Sequence, residues 1–359
     1  MPLVRTARTL VLVTGAALLA RRAVRRRIER APLWPLPALE TPMSGRPRTR
    51  SFHAVVTERT QPAWNVVQLR LEAAELPAWR PGAHVDVILP SGLVRQYSLC
   101  GDPTETGTYT IATRLVEDGR GGSREVHERL RTGAGVEIRG PRNRFPLVDA
   151  EAYVFVAGGI GITPILPMLR ELAARGADWR LLYGGRTRAS MPYVDELEKL
   201  GAEGGRVSVV ADDESGPPDL AAHLEGTAPG TAVYCCGPGP LMDAVAALRP
   251  DSCTLHTERF TPGTASLGAA SPGGSFEVEL RRTGRVVRVP VDRSVLAAVR
   301  EELPNVAYSC EQGFCGTCQQ RVLAGDIERR DEVLTDAERA DSMLICVSRS
   351  RGERLILDL

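Results

Sequence analysis

One run in this chain has residue types and a spacing that no ordinary core or turn requires: Cys310-Glu-Gln-Gly-Phe-Cys315-Gly-Thr-Cys318, with Cys346 well downstream. Three thiolates from one tight loop and a fourth from a later segment make the C-x4-C-x2-C…C arrangement that wraps a 2Fe–2S cluster. Gly313 and Gly316 fall between the ligands, where the backbone must take positive φ and turn its N–H groups toward sulfur. A structural zinc site would show two paired-cysteine knuckles, and only Cys315 and Cys318 form one. A disulfide is disfavoured because Cys100, Cys235, Cys236 and Cys253 are ungrouped and the chain lacks the cysteine density of a small secreted domain. That usage suits a reducing cytosol. The question for the rest of the chain is what feeds electrons into the cluster.

The elements that must position this loop begin after a linker-like stretch, Thr261 to Ser275, rich in Gly, Ser, Ala and Pro. Two short alternating runs, Phe276–Leu280 and Val286–Pro290, read as strands joined at Thr283-Gly284. A helix is predicted from Ser294 to Glu302 with Ser294 as its N-cap. The segment 275–359 therefore reads as a small α+β domain, β-grasp-like, with the cluster near its surface.

Upstream, the texture from Ala150 alternates strand and helix. Tyr153-Val-Phe-Val-Ala157 is a continuous apolar run, as a buried parallel strand requires. It leads into Gly158-Gly159-Ile-Gly161-Ile-Thr163-Pro164 and an amphipathic helix ending at Gly176. Glycines tighten such a turn and let a pyrophosphate approach the helix N-terminus, and Pro164 suits a first helical turn. Strands at Trp179–Gly184, Arg206–Ala211 and Ala232–Cys236 complete a four-stranded parallel reading. The last ends in Cys236-Gly237-Pro238-Gly239-Pro240, at the strand terminus where ligands bind in such folds. The acidic residue that would grip a ribose 2′-hydroxyl after the second strand is replaced by Arg186 and Arg188. These suit the 2′-phosphate of NADP, a pyrophosphate, or simply solvent.

From Thr49 to Leu147 short alternating runs separated by Gly and Pro predict an antiparallel barrel. Two polar segments inside it are too specific for plain strand and turn. One is Arg95-Gln-Tyr97-Ser98-Leu99; the other is the loop Asp118-Gly-Arg120-Gly121-Gly122-Ser123. Backbone N–H groups, a cation and a hydroxyl in that loop suit a phosphate, although a hairpin tip has a similar composition.

At 359 residues the chain can form two or three cored domains. A net charge of +1 and 5% aromatic residues argue against a nucleic-acid partner. The apolar run Thr9–Ala20 lies between Arg5/Arg8 and Arg21, Arg22, Arg25, Arg26 and Arg27. It is shorter than the roughly 20 residues a bilayer span needs, and its heavier charge follows the run, unlike a signal peptide. It reads as an interfacial helix on an anionic membrane face or as an extension without a role. Five prolines from Pro32 to Pro47 mark a linker.

The order of motifs over Thr49–Leu359 resembles the phthalate dioxygenase reductase and vanillate demethylase reductase family. The resemblance implies a flavin-binding β-barrel (49–148), an α/β NAD(P)-binding domain (149–260), a linker (261–274) and a C-terminal 2Fe–2S ferredoxin domain (275–359), with 1–48 unmatched. It implies that Arg95, Tyr97 and Ser98 line the flavin, Ser98 near N5, with Ala112 and Thr113 at the ring edge. Arg120, Gly121, Gly122 and Ser123 would hold an FMN phosphate; FAD is the alternative. Gly159, Gly161, Thr163, Pro164, Arg186, Cys236, Gly237 and Pro238 fall to the coenzyme, NADH or NADPH. Glu258-Arg-Phe260 resembles the segment that brings an aromatic ring to the nicotinamide. Ser98, Cys236 and Phe260 are thereby assigned to the reaction itself, and Cys310, Cys315, Cys318 and Cys346 to the metal. The implied activity is an NAD(P)H-dependent reductase serving a partner oxygenase. A haem monooxygenase or a membrane acceptor is an alternative within redox chemistry, and a cofactor-free interaction protein is one outside it. The intact cysteines and both nucleotide motifs argue against the last.

Overall fold

The computed structural model describes residues 51–117, 119–202, 204–260, 274–313, 315–331 and 334–359. The N-terminal extension and almost all of the 261–274 linker lie outside these residues, as does Asp118.

Six strands form the first sheet: β1 (Ser51–Ala63), β2 (Val66–Glu72), β3 (Ala83–Ile88), β4 (Val94–Ser98), β5 (Thr108–Arg114) and β6 (Gly135–Asn143). They pair antiparallel in the order β4-β3-β6-β1-β2-β5, and a bridge between Leu99 and Ile111 brings the two edges together. The cause is local alternation. Along β1, Phe52, Ala54 and Val56 are buried while His53 and Val55 face out, the period-two pattern of a strand with one wet face. The inward set meets Leu69, Leu71, Val85, Val87, Ile111 and Ile138, none more than 1% exposed. Each such side chain contributes about 1.5–3 kcal/mol of burial. The Arg95–Leu99 segment is itself mostly the strand β4. The glycine-rich segment is shorter than its sequence suggests: Gly122 and Ser123 already belong to helix α1 (Gly122–Arg129), which the sequence reading missed.

The second sheet is parallel and has five strands rather than four. They are β7 (Ala152–Gly158), β8 (Asp178–Gly185), β9 (Val207–Ala211), β10 (Ala232–Cys236) and β11 (Thr254–Glu258), in the order β11-β10-β7-β8-β9. Strand β11, only half-buried along its length, carries too weak an apolar signal to stand out in sequence. Helices α2 (Ile162–Ala174), α3 (Val194–Leu200) and α4 (Gly239–Leu248) cover the sheet. Strands β7 and β10 sit at its centre, so their C-terminal ends lie side by side.

The third sheet is mixed: β12 (Phe276–Leu280), β13 (Arg285–Val289), β14 (Gln319–Ala324), β16 (Ser342–Leu344) and β18 (Arg354–Leu357), with the small pair β15 (Ile327–Glu328) and β17 (Arg349–Ser350). Strands β12 and β18 run parallel and the other pairs antiparallel. Helix α5 (Val295–Glu302) begins at Ser294, whose Oγ accepts from Ala297 N at 3.1 Å, the expected cap. Its buried residues Val295, Leu296, Ala298 and Val299 supply the other half of this core. The cysteine loop runs from α5 to β14. An antiparallel barrel, a parallel α/β sheet and a β-grasp-like sheet are thus the three layers that frame the site.

Candidate functional site

The four predicted ligands come together. Cys310, Cys315, Cys318 and Cys346 are each at least 93% buried. Their sulfurs hydrogen-bond as Cys310 with Cys315 and Cys318 with Cys346, and Cys346 is also close enough to feel the charges of Cys310 and Cys315. Hydrogen bonding with the Cys310 sulfur pulls the Cys315 thiol down to about 6, whereas hydrogen bonding with Cys318 and burial push Cys346 up. Pairing the first two cysteines and the last two is the arrangement a two-iron cluster uses, one pair to each iron. Backbone N–H groups already aim at sulfur: Gln312 N lies 3.3 Å from Cys310 Sγ and Thr317 N 3.5 Å from Cys315 Sγ. Gly313 and Gly316 take φ of 83° and 66°, as their place between ligands requires. A side chain at Gly316 would also meet Arg144, 2.5 Å from Cζ. Buried thiols, inward amides and positive-φ glycines all fit a 2Fe–2S cluster.

A cavity of about 860 Å³ opens from this loop. Cys310 and Gln312 line one end, and Arg95, Tyr97 and Ser98 of β4 line the barrel side with Ala112 and Thr113 of β5. Arg120, Gly122 and Ser123 line it at the start of α1, where Gly121 is the N-cap at φ 78°, without lining the cavity itself. No side chain caps that helix. Two guanidiniums crowd the same corner: Arg95 Nη2 donates to Arg120 O at 3.1 Å, and burial and Arg120 both lower the Arg95 pKa. Uncapped N–H groups with two mutually repelling cations call for an anion such as a phosphate. Gly122 is needed for the close approach, since a Cβ there would sit 2.3 Å from Arg95 Nε.

The far end is built by the parallel sheet. Gly159, Gly161 and Thr163 line it from the β7–α2 turn, Gly237 and Pro238 from the end of β10, and Arg186 from the end of β8. The glycines let two backbones touch: a Cβ on Gly161 would lie 2.2 Å from Cys236 O, and one on Gly158 2.6 Å from Pro238 Cδ. Pro164 is buried in the first turn of α2, and the Cys236 side chain packs in the core beneath the sheet; neither lines the cavity. Burial, with Glu258 and Cys235 nearby, keeps Cys236 a protonated thiol. Arg188 is held by Glu198 at 2.6 Å, while Asp212, just beyond β9, lines the cavity with Arg186.

Between the two ends Ser98 and Phe260, which the sequence singled out, meet two residues to which it gave no chemical role, Glu258 and His84. Ser98 Oγ donates to Glu258 Oε2 at 3.0 Å, and Phe260 lines the cavity two residues on. Burial pushes the Glu258 carboxyl up to about 8, opposed only by the Ser98 hydrogen bond. His84 Nδ1 is 3.9 Å from Glu258 Oε1, the separation of an ion pair. It is not one at neutral pH, because burial and then Arg142 and Arg144 lower His84 to about 3. Tyr97 is pushed up to about 12 by burial, against the pull of the Thr113 hydroxyl and Arg95. The signal that could have found His84 and Asp86 is their alternation: two polar residues on one face of an otherwise apolar strand, both at most 2% exposed.

An antiparallel barrel, a dinucleotide fold and a cysteine loop around one cavity define a modular electron-transfer oxidoreductase. Residues 155–247 match the oxidoreductase NAD-binding domain family and residues 278–351 the 2Fe-2S iron-sulfur cluster binding domain family. The vanillate O-demethylase oxidoreductase of Pseudomonas putida is 39% identical over 317 residues, spanning 85% of this chain and 99% of its own. The solved structure of a phthalate dioxygenase reductase superposes with a TM-score of 0.66 at 34% identity, over 86% of this chain and 98% of that one. A type IV self-sufficient cytochrome P450 monooxygenase gives a TM-score of 0.76 at 39% identity, over 86% of this chain but 41% of its own. The chain belongs to the phthalate dioxygenase reductase-like family. It is an oxidoreductase, a reductase component of the kind that serves oxygenase systems, with NAD-binding and 2Fe–2S domains. Among the described residues no helix is long and apolar enough to cross a membrane.

Proposed function

We propose that the chain oxidises NADH at one end of the cavity and delivers single electrons through the cluster to a separate ring-hydroxylating or demethylating oxygenase. The observation that carries this is continuity: one cavity runs from the dinucleotide loops past β4 and β5 to Cys310. A hydride brings two electrons at once, and a bound flavin is the group that accepts it and releases electrons singly to a one-electron cluster. The balance is one NADH and two oxidised acceptors giving NAD+, one proton and two reduced acceptors.

The residues divide that work. Arg95, Arg120 and the first N–H groups of α1 suit a terminal phosphate, which supports FMN rather than FAD. Tyr97, Ser98, Ala112 and Thr113 supply the wall for the ring. Ser98, whose hydroxyl donates to Glu258, is fixed in orientation at the cavity wall, and Phe260 lines the same region. Arg186 beside Asp212 leaves that end of the cavity nearer neutral than two arginines would, which favours NADH over NADPH. The four cysteines hold the cluster. Releasing the flavin by heat and identifying it by chromatography tests the phosphate assignment, and FAD would overturn it. Anaerobic titration with NADH and with NADPH, followed in the visible spectrum, tests the rest. A haem monooxygenase is the second acceptor class, favoured by the P450 protein that carries a region like this chain. Reconstitution with each acceptor class separates the two.

A further inference from the structure

The barrel grips the cluster loop immediately beside its first ligand. Ser309, 1% exposed, donates from Oγ to Asp86 Oδ1 at 2.6 Å, and Asp86 is equally buried. The other carboxylate oxygen is ion-paired to Arg142 Nη2 at 2.6 Å, so β6 fixes the orientation of the carboxylate. One residue further on, Arg120 donates to Cys310 O at 3.1 Å. Asp86 belongs to β3, and its cross-strand partners on β4 are Gln96 directly, with Val85 opposite Tyr97 and His84 opposite Ser98. A single strand thus connects the cavity wall to the residue preceding a cluster ligand.

We infer that Asp86, acting through Ser309, is a positioning residue for electron transfer, setting how closely Cys310 is held against the wall formed by Tyr97 and Ser98. A buried carboxylate between β6 and a loop of another sheet is costly unless both its oxygens are engaged, and here one neighbour comes from each side. Nothing in cluster ligation itself needs this bond, since the four sulfurs come from the loop and from Cys346. The inference rests on β4 being the flavin wall. With a flavin held against β4, each transfer would move one electron to one ferric iron, which becomes ferrous, and over the two transfers the flavin would release to solvent the one proton counted above.

The test uses purified holoprotein with Ser309→Ala, Ser309→Thr and Asp86→Asn. In rapid mixing with NADH, flavin bleaching should match wild type in all of them. The cluster-reduction phase of Ser309→Ala should slow about tenfold or more, the scale on which small misplacements act on a reaction step. Ser309→Thr, which keeps the hydroxyl, should restore it, and Asp86→Asn, which keeps an acceptor but loses the ion pair, should fall between. Amide hydrogen exchange over residues 308–312 of the resting protein should rise in Ser309→Ala and return in Ser309→Thr. An unchanged cluster phase in Ser309→Ala overturns the inference, as does loss of iron and sulfide, which would make the bond one of cluster retention. Absence of flavin bleaching in wild type overturns instead the reading of β4 on which it rests.

Discussion

At the residue scale, the side chains in the cavity divide by what burial does to their protons. Glu258 is held as an acid and His84 as a neutral imidazole, so these two facing groups form no ion pair near neutrality. The sign of the linkage follows. The folded state raises the Glu258 pKa from 4.5 to about 8, so native protein holds a proton that the unfolded chain has lost across that window. Its contribution is complete below the unfolded value and is lost as pH rises toward 8. Glu258→Gln keeps an acceptor for Ser98 and cannot titrate. Stability measured from pH 5 to 9 should therefore fall more steeply in wild type than in the variant, by on the order of a few kcal/mol over the window. Parallel curves would show that Glu258 is ionised throughout. The cluster gives a second prediction at this scale. Cys315→Ser should abolish NADH-dependent cytochrome reduction while flavin bleaching by NADH persists, because the cluster stands downstream of the hydride step. Undiminished cytochrome reduction in a cluster-free variant would contradict that order.

At the element scale, the site depends on how closely the β7–α2 turn approaches the end of β10. The contact is backbone on backbone, with no flexible side chain able to yield: a methyl on Gly161 would lie 2.2 Å from Cys236 O and 2.5 Å from its carbonyl carbon. Gly161→Ala should cost about 1–3 kcal/mol in urea unfolding, the range for forced overpacking. It should also raise KM for NADH, since the same turn lines the cavity. Unchanged KM would detach this turn from coenzyme binding. Gly316 differs on the cluster side: its neighbour is the guanidinium end of Arg144, which can move, so it is the positive φ that disfavours a side chain there.

At the scale of the whole molecule, every residue lining the cavity and every cluster ligand lies beyond residue 94, and His84 and Asp86, which support them, also lie beyond the extension. Deleting residues 1–48 should accordingly leave NADH-dependent cytochrome reduction within about twofold of the full chain, a change below 0.5 kcal/mol in barrier. The five arginines that follow the apolar run predict the complementary effect, each adding about 1 kcal/mol toward an anionic surface. The full chain should sediment with anionic vesicles at low salt and release as salt rises, and the truncated chain should stay in solution. Equal sedimentation of the two would leave the extension without a membrane role.

What the sequence alone determined was whatever is encoded locally. The ligand spacing from Cys310 to Cys318, the glycines at 313 and 316, the Ser294 cap and the alternation of β1 and β3 all depend on contacts within a few residues. They were legible for that reason. Strand β11 and helix α1 were not, because neither carries an apolar run of its own and both are fixed by neighbours: β11 by pairing with β10, and α1 by Glu125 accepting from Ser91 N at 2.8 Å. Only the tertiary structure decided which polar residues meet. Ser98 and Glu258 are 160 positions apart and Ser309 and Asp86 are 223 apart. Pairings at such separations leave no periodicity in the chain; they arise when three separately encoded sheets close on one another, and burial then sets the protonation of the groups enclosed.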